Sequence, residues 1–355
     1  MTMSNDEPLE SQLPPRPAEM LLIDALPSVA PAAMLCTSLG RAQLAQVAAE
    51  RWPSTPVRCF FVDLFRAELA RAAPVERPAN LTIDCAADFA DGEVDLVAMP
   101  LSSSGDGELT SDLLQSAHQR LTLSGRLLAS TDNPTDTWLE ARLRDLFGKV
   151  TRHNHDTGAV FSAVKQSPLK KLKDYSCRFA FRDRGRLLNG VSQPGVFSHR
   201  RIDTGARRLI DAMVVKPGQR VFDIGCGWGP VAIAAAASAA DVHVMAIDSN
   251  VRAVACTQAN AQLNELGNVD ARLVADGRCD QLDSYDLALA NPPYYANFRI
   301  AELFLSAAHA ALRTGGEVLV VTKLREWYLD NFSRWFDLTE VAEIKGYDIL
   351  RGRKS

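Results

Sequence analysis

The segment Val221-Phe-Asp-Ile-Gly-Cys-Gly-Trp-Gly-Pro is the part of this chain most clearly built for chemistry. An apolar run carries Asp223, glycines follow at 225, 227 and 229, and Pro230 suits the first position of a helix. Glycines at such a turn let the main chain bend sharply and let a ligand lie against it. The spacing D-x-G-x-G-x-G differs from the dinucleotide pattern G-x-G-x-x-G, and no Gly-Lys-Ser/Thr follows, which excludes a P-loop. The next apolar run ends on Asp248, about 20 residues past the glycines, where a carboxylate can accept from two ribose hydroxyls. A helix cap is the plainer reading of that residue alone. Asp276, after a further run, is placed to accept from an adenine amino group, although a solvated loop Asp fits nearly as well.

A second cluster, Asn291-Pro292-Pro293-Tyr294, sets the reaction class. An amino group on an sp² carbon is a poor nucleophile, because its lone pair is delocalised. The two prolines force an extended turn. The Asn291 side-chain oxygen and the Pro292 carbonyl can then each accept one N–H of that amine, which aims its lone pair at an electrophilic methyl carbon. Tyr294 can stack on a planar acceptor and exclude water. Positioning supplies most of the catalysis, with no dedicated base.

These residues need a sheet to hold them, and the chain contains one twice. Tyr285 to Val320 and Val94 to Ala129 repeat each other without a gap: Asp286 and Asp95 stand 191 positions apart, as do His309 and His118, Leu312 and Leu121, Gly316 and Gly125. Further upstream, the run ending in Asp63 is expected at the place of the run ending in Asp248. Short apolar runs alternate with helical stretches, which predicts βαβ units and parallel sheets. In the second copy strands are expected at 220–224, 242–247, 271–274, 287–290 and 317–322, followed by an antiparallel pair at 337–344 and 347–351.

The second copy resembles a class I methyltransferase with the Asn-Pro-Pro-Tyr signature. The tandem arrangement is similar to the bacterial ribosomal RNA guanine-N2 methyltransferases of the small subunit methyltransferase C group. The most specific match is the stretch from Gln193 to Gly205, QPGVFSHRRIDTG, and a further one is Ile344-Lys-Gly-Tyr-Asp-Ile-Leu. The resemblance covers about 190–355 strongly and 19–165 weakly. It implies S-adenosyl-L-methionine as cofactor, contacted by Asp223, Gly225, Gly227, Gly229, Asp248, Asp276 and Asn291. It places the acceptor at Asn291, Pro292 and Tyr294, and implies ribosomal RNA or a ribosomal subunit as partner. Trp228 and Lys323 depart from the family pattern.

The expected architecture is α/β: two tandem Rossmann-like class I methyltransferase domains, the first degenerate, the second with a mostly parallel seven-stranded sheet. The boundaries read as a disordered tail over 1–18, a degenerate domain over 19–165, a basic linker over 166–194 and a catalytic domain over 195–355. In the first copy Pro100 stands at the place of Asn291, and Leu35-Cys-Thr-Ser-Leu-Gly40 keeps a single glycine of the loop.

The whole chain of 355 residues carries a net charge of −4, yet Lys165 to Arg208 holds twelve basic residues against three acidic ones, a local +9. Phe179, Phe181 and Phe197 are interleaved. Such a segment can neutralise phosphates and stack unpaired bases, and Lys170, Lys171, Lys173, Arg182, Phe197, Arg200 and Arg201 are its candidate RNA contacts. A solvated charge run is the plainer alternative. Seven scattered cysteines without a C-x-x-C pair argue against zinc and disulfides, and fit a reducing cytoplasm. No apolar run is long enough to span a bilayer, and no metal or membrane partner is expected. The reading is methylation of a guanine N2 in ribosomal RNA. Its alternatives are a protein glutamine-N5 methyltransferase and a catalytically silent RNA-binding assembly protein.

Overall fold

The computed structural model describes residues 14–73, 75–293 and 298–355. The chain divides into two units, Met1–Tyr175 and Ser176–Ser355. Among the described residues no helix is long and apolar enough to cross a membrane, and no group of three or more His, Cys, Asp or Glu is placed to hold a metal ion.

The first unit opens with α1 (Pro17–Asp24), β1 (Met34–Thr37), α2 (Gln43–Arg51), β2 (Val57–Phe61), α3 (Leu64–Arg71) and β3 (Leu81–Cys85). It continues with β4 (Val94–Leu101), α4 (Gly107–Arg120), β5 (Leu121–Thr131), α5 (Trp138–Phe147), β6 (Val150–His155) and β7 (Gly158–Val164). These strands form one sheet in the order β3-β2-β1-β4-β5-β7-β6.

The second unit starts with a two-stranded hairpin, β8 (Cys177–Asp183) and β9 (Arg186–Ser192). Then come α6 (Thr204–Ala212), β10 (Arg220–Ile224), α7 (Pro230–Ser238), β11 (His243–Asp248), α8 (Val251–Leu263) and β12 (Val269–Leu273). The unit ends with β13 (Tyr285–Ala290), α9 (Arg299–Ala311), β14 (Leu312–Thr322), α10 (Arg325–Asn331), β15 (Asp337–Glu343) and β16 (Asp348–Arg353). Its seven-stranded sheet runs β12-β11-β10-β13-β14-β16-β15, the same order as in the first unit. β10 to β14 pair in parallel, and β15 and β16 close the edge antiparallel. The continuous apolar character of β10, β13 and β14 follows, since helices cover both faces of a parallel sheet.

The duplication extends to registers and buried polar groups. The β4–β5 pairing shifts register between Val94 and Leu96, and β13–β14 does so between Tyr285 and Leu287. That irregularity, with Gly315 at φ 77°, lets β14 begin at Leu312, earlier than the run from Glu317 implies. Lys165 and Lys354 occupy equivalent places. The first donates through Nζ to the Leu121 carbonyl at 2.5 Å, the second to the Leu312 carbonyl at 2.8 Å. His118 packs on Phe147 at 4.7 Å and His309 on Phe336 at 5.6 Å between ring centres, and burial lowers the pKa of both imidazoles.

Three expectations are corrected. The linker 166–194 is largely structured: from Ser176 it belongs to the second unit, because its residues alternate at strand period, Arg178 and Arg182 outward, Phe181 and Leu188 buried. The tail ends sooner than residue 18, since α1 begins at Pro17 and Ala18 is fully buried; residues 1–13 lie outside the described part. Strand register also moves the counterpart of Asp248 to Phe61. Met34 pairs with Val57 as Val221 pairs with Val244, which brings Asp63 to the place of Asn250, and both of these cap the following helix.

Candidate active site

The carboxyl ends of β10, β11 and β13 bring together the glycine turn, Asp248 and Asn291. Gly225, Gly227 and Gly229 all hold positive φ, at 72°, 57° and 88°, where a side chain is strained. Their surroundings differ. A Cβ on Gly225 would strike the Phe304 ring at 2.6 Å, and one on Gly229 would strike Thr257 at 2.8 Å. A Cβ on Gly227 would meet only the Phe197 carbonyl, at 3.9 Å. A side chain at Gly225 or Gly229 would therefore collide with a neighbour, whereas a Cβ on the buried Gly227 would meet one only at ordinary contact distance; Gly225 is the exposed residue of the turn.

Asp223 does not face that space. It is 3% exposed and its Oδ2 accepts the Ala232 amide at 3.1 Å, at the N-terminus of α7. Burial, with a smaller contribution from nearby Asp248, pushes its carboxyl up to about 7. Asp248 is half-buried. Its two oxygens accept the amides of Gly227 and Asn250, both at 2.9 Å, so the carboxylate braces the glycine turn. Asp276 is half-buried, and its carboxylate accepts the Arg278 amide at 3.1 Å and pairs with that residue's guanidinium.

Asn291 follows β13. Its Nδ2 donates to Asp203 Oδ2 at 3.0 Å, and the same Oδ2 accepts the Ala206 amide at 3.0 Å to cap α6. Pro292 is buried and Pro293 half-buried, while Tyr294 falls outside the described residues. Asn250 and Arg252, at the start of α8, fasten the approach to the site: Asn250 Nδ2 donates to the Gly195 carbonyl and the fully buried Arg252 to the Pro194 carbonyl. Phe197, two residues on, is 65% exposed beside the Gly227 turn.

Trp228, an oddity of the sequence, turns out to point away from the cradle. It is buried against the hairpin, edge-on to Phe179 at 4.8 Å and Phe181 at 5.9 Å. Asn260 on α8 and Asn264, which caps its C-terminus, complete the attachment. Asn260 accepts the Val191 amide and donates to the Val191 and Trp228 carbonyls; Asn264 pairs with both backbone groups of Asn189. Their spacing of four, on one helix face, is the signal that sequence reading passed over.

The basic residues separate by environment. Lys165, Arg184, Arg186, Arg207 and Arg208 have their charged groups engaged within their own units, on carbonyls or carboxylates. Arg178 and Arg182 point outward from the hairpin without an ion pair among the described residues, and Arg200 and Arg201 are exposed. Lys170, Lys171 and Lys173 are exposed but lie in the first unit, where Lys173 covers the Tyr175 ring at 4.5 Å.

Residues 188–351 match the family model of the methyltransferase small domain. That match takes in most of the second unit. The matched segment carries every feature just described of the glycine turn and of Asn291. Among curated relatives, the chain is 33% identical to ribosomal RNA large subunit methyltransferase G of Streptomyces griseus, over 47% of this chain and 46% of that one. It is 28% identical to ribosomal RNA small subunit methyltransferase C of Shewanella loihica, over 55% of this chain and 57% of that one. The chain thus spans about half the length of these two relatives. Among solved structures, the T. thermophilus 16S rRNA N2 methyltransferase, in complex with AdoMet and guanosine, matches with a TM-score of 0.79 at 20% identity. That match covers 96% of this chain and 92% of the other, and it shows the shared two-domain fold. The cradle fits S-adenosylmethionine, the methyl donor of this fold: exposed main chain at Gly225, and a half-buried carboxylate at Asp248 for a ribose.

Proposed function

We propose that this chain transfers a methyl group from S-adenosylmethionine to the exocyclic N2 of an unpaired guanine in ribosomal RNA, in the cytoplasm. The carrying observation is Asn291, directly after β13, on the same sheet edge as the Gly225–Gly229 turn. The ribosomal RNA methyltransferases among the relatives support the choice of substrate class. Bound S-adenosylmethionine supplies an electrophilic methyl carbon. The chain's own part is positional. Gly227 and Asp248 hold the nucleoside end, with Asp223 bracing α7 from below, and Asp276 bounds the adenine side. The Asn291 side-chain oxygen and the Pro292 carbonyl each accept one N–H of the guanine amine and turn its lone pair outward. Tyr294 stacks on the base, and Phe197, Arg182, Arg200 and Arg201 receive the adjoining RNA. A base within a duplex does not present its amine to such an edge, so the target is looped out or flipped.

The test is mass mapping of ribosomal RNA with and without the protein, beside an Asn291→Ala enzyme. The expected result is one guanine N2 methyl that depends on the protein. Loss of one preorganised hydrogen-bond partner lowers the rate by on the order of 10²–10³. Methylation of a glutamine-bearing protein, with ribosomal RNA unchanged, would reassign the acceptor.

A further inference from the structure

We propose that Asp203 and Gly205 fix the orientation of the Asn291 amide, and so decide which of its two ends meets the acceptor; this rests on the acceptor role given to Asn291 above. An asparagine offers a carbonyl oxygen and an NH2 group of nearly the same shape, and only the oxygen can accept from an amine. A side chain free to flip would present the wrong end much of the time. Asp203 removes the choice. Its carboxylate can only accept, and its Oδ2 lies 3.0 Å from Asn291 Nδ2, so the NH2 end is committed to Asp203 and Oδ1 is left for the amine. The carboxylate is itself held, because the same oxygen caps α6 through the Ala206 amide at 3.0 Å.

Gly205 is the second observation. It sits buried in the first turn of α6 and is absent from the glycines with positive φ, so its backbone does not require glycine, which costs a helix stability relative to alanine. What it supplies is room. A Cβ there would lie 2.8 Å from Asn291 Oδ1 and 2.8 Å from Asp203 Oδ2, displacing the pair that sets the amide. Both are positioning residues, since they act on the acceptor through Asn291.

Asp203→Ser keeps a helix cap but is too short to hold Asn291. With unmodified ribosomal RNA transcripts and tritiated S-adenosylmethionine, its kcat is expected to fall about 10- to 100-fold through misplacement of the amide oxygen, with KM for RNA and donor affinity unchanged. Gly205→Ala is expected to lose kcat likewise while melting no lower than wild type, a split that a purely structural role does not produce. Asp203→Ser added to Asn291→Ala is expected to cost nothing further. Near-normal kcat in either single variant, or a further loss in the double variant, would overturn the proposal. The Asn291 side-chain NH2 resonances, assigned by their absence in Asn291→Ala, are expected to move in Asp203→Ser. If they stay in place, the positioning role falls whatever the acceptor is. If they move while Asn291→Ala retains full turnover, the acceptor role of Asn291 falls and the contact stands.

Discussion

The two units of this chain share a sheet order, register irregularities, a lysine that donates to the first carbonyl of the long strand and a histidine–phenylalanine contact, yet only one keeps the glycine turn, its bracing aspartate and Asn291. The difference lies at the carboxyl ends of the strands. Where the second unit has Asp223, Gly225, Asp248 and Asn291, strand pairing places Cys36, Ser38, Phe61 and Pro100 in the first. The first unit has also rebuilt the gap. Glu19 on α1 is fully buried, and its Oε1 accepts from Ser38 Oγ at 2.9 Å and from the Leu44 amide at 3.1 Å, at the N-terminus of α2. A carboxyl thus meets the helix start in both units, from the strand in one and from the preceding helix in the other. This architecture therefore needs an acceptor at that helix terminus for its own stability. On the function proposed above, donor binding needs the glycines and Asp248 besides.

The sharpest way to break the comparison is Gly227→Ala. The new methyl group strains a buried residue at φ 57° whose amide Asp248 holds, which distorts the turn, so S-adenosylmethionine affinity is expected to fall by more than about tenfold, against about 1.4 kcal/mol per decade. Calorimetry of the wild type is expected to give one site per chain; two sites would refute the loss of the first cradle.

Trp228→Ala ranks next. Removing a fully buried tryptophan from beneath the hairpin is expected to cost about 3–5 kcal/mol of second-unit stability, read by denaturant unfolding. A smaller effect addresses the basic residues. Arg178→Glu with Arg182→Glu is expected to weaken RNA binding and flatten its salt dependence by about one log–log unit per lost phosphate contact, with donor binding intact. The same reversal at Lys170, Lys171 and Lys173 tests whether the first unit shares in that grip. Equal affinity for both sets and wild type at every salt concentration would reduce the segment to a solvated surface.

The smallest effect is in pH. Asp223 titrates near 7 in the fold and near the ordinary carboxylate value when unfolded, so the folded state holds the extra proton between those values. Stability from this group is therefore full below about pH 4 and lost as pH rises through about 7. Asp223→Asn is expected to gain melting temperature relative to wild type, in the donor-free protein, across that window and to level off above it. Burial raises Glu19 as well, so Glu19→Gln is expected to shift in the same direction.

Much of this was legible because periodicity and glycine spacing are local. The strand at Arg220–Ile224 and the helix starting at Pro230 stand where those patterns place them, and the gapless offset of 191 announced the repeat over β4, α4 and β5. What escaped was set by partners distant in sequence. The hairpin read as a linker because its arginines dominate composition, while the inward Phe181 and Leu188 find their apolar partner only through Trp228. Asp63 was mistaken for the partner of Asp248 because two acidic residues near strand ends look alike until pairing shows that one of them caps a helix. Asp203 gave no sign of its contact with Asn291, 88 residues away.

The buried Glu19 also bears on whether the lost site could ever return. Reinstating an aspartate at position 36 would set a second carboxyl at a helix start that Glu19 already serves, beside the buried Cys59. Two like groups in one dry place repel, and one of them would have to stay protonated. That substitution is thus harmful until Glu19 is removed, and removing Glu19 first leaves the Leu44 amide and Ser38 hydroxyl without their acceptor. The exchange works only as a pair: neither step, at 36 or at 19, is neutral alone.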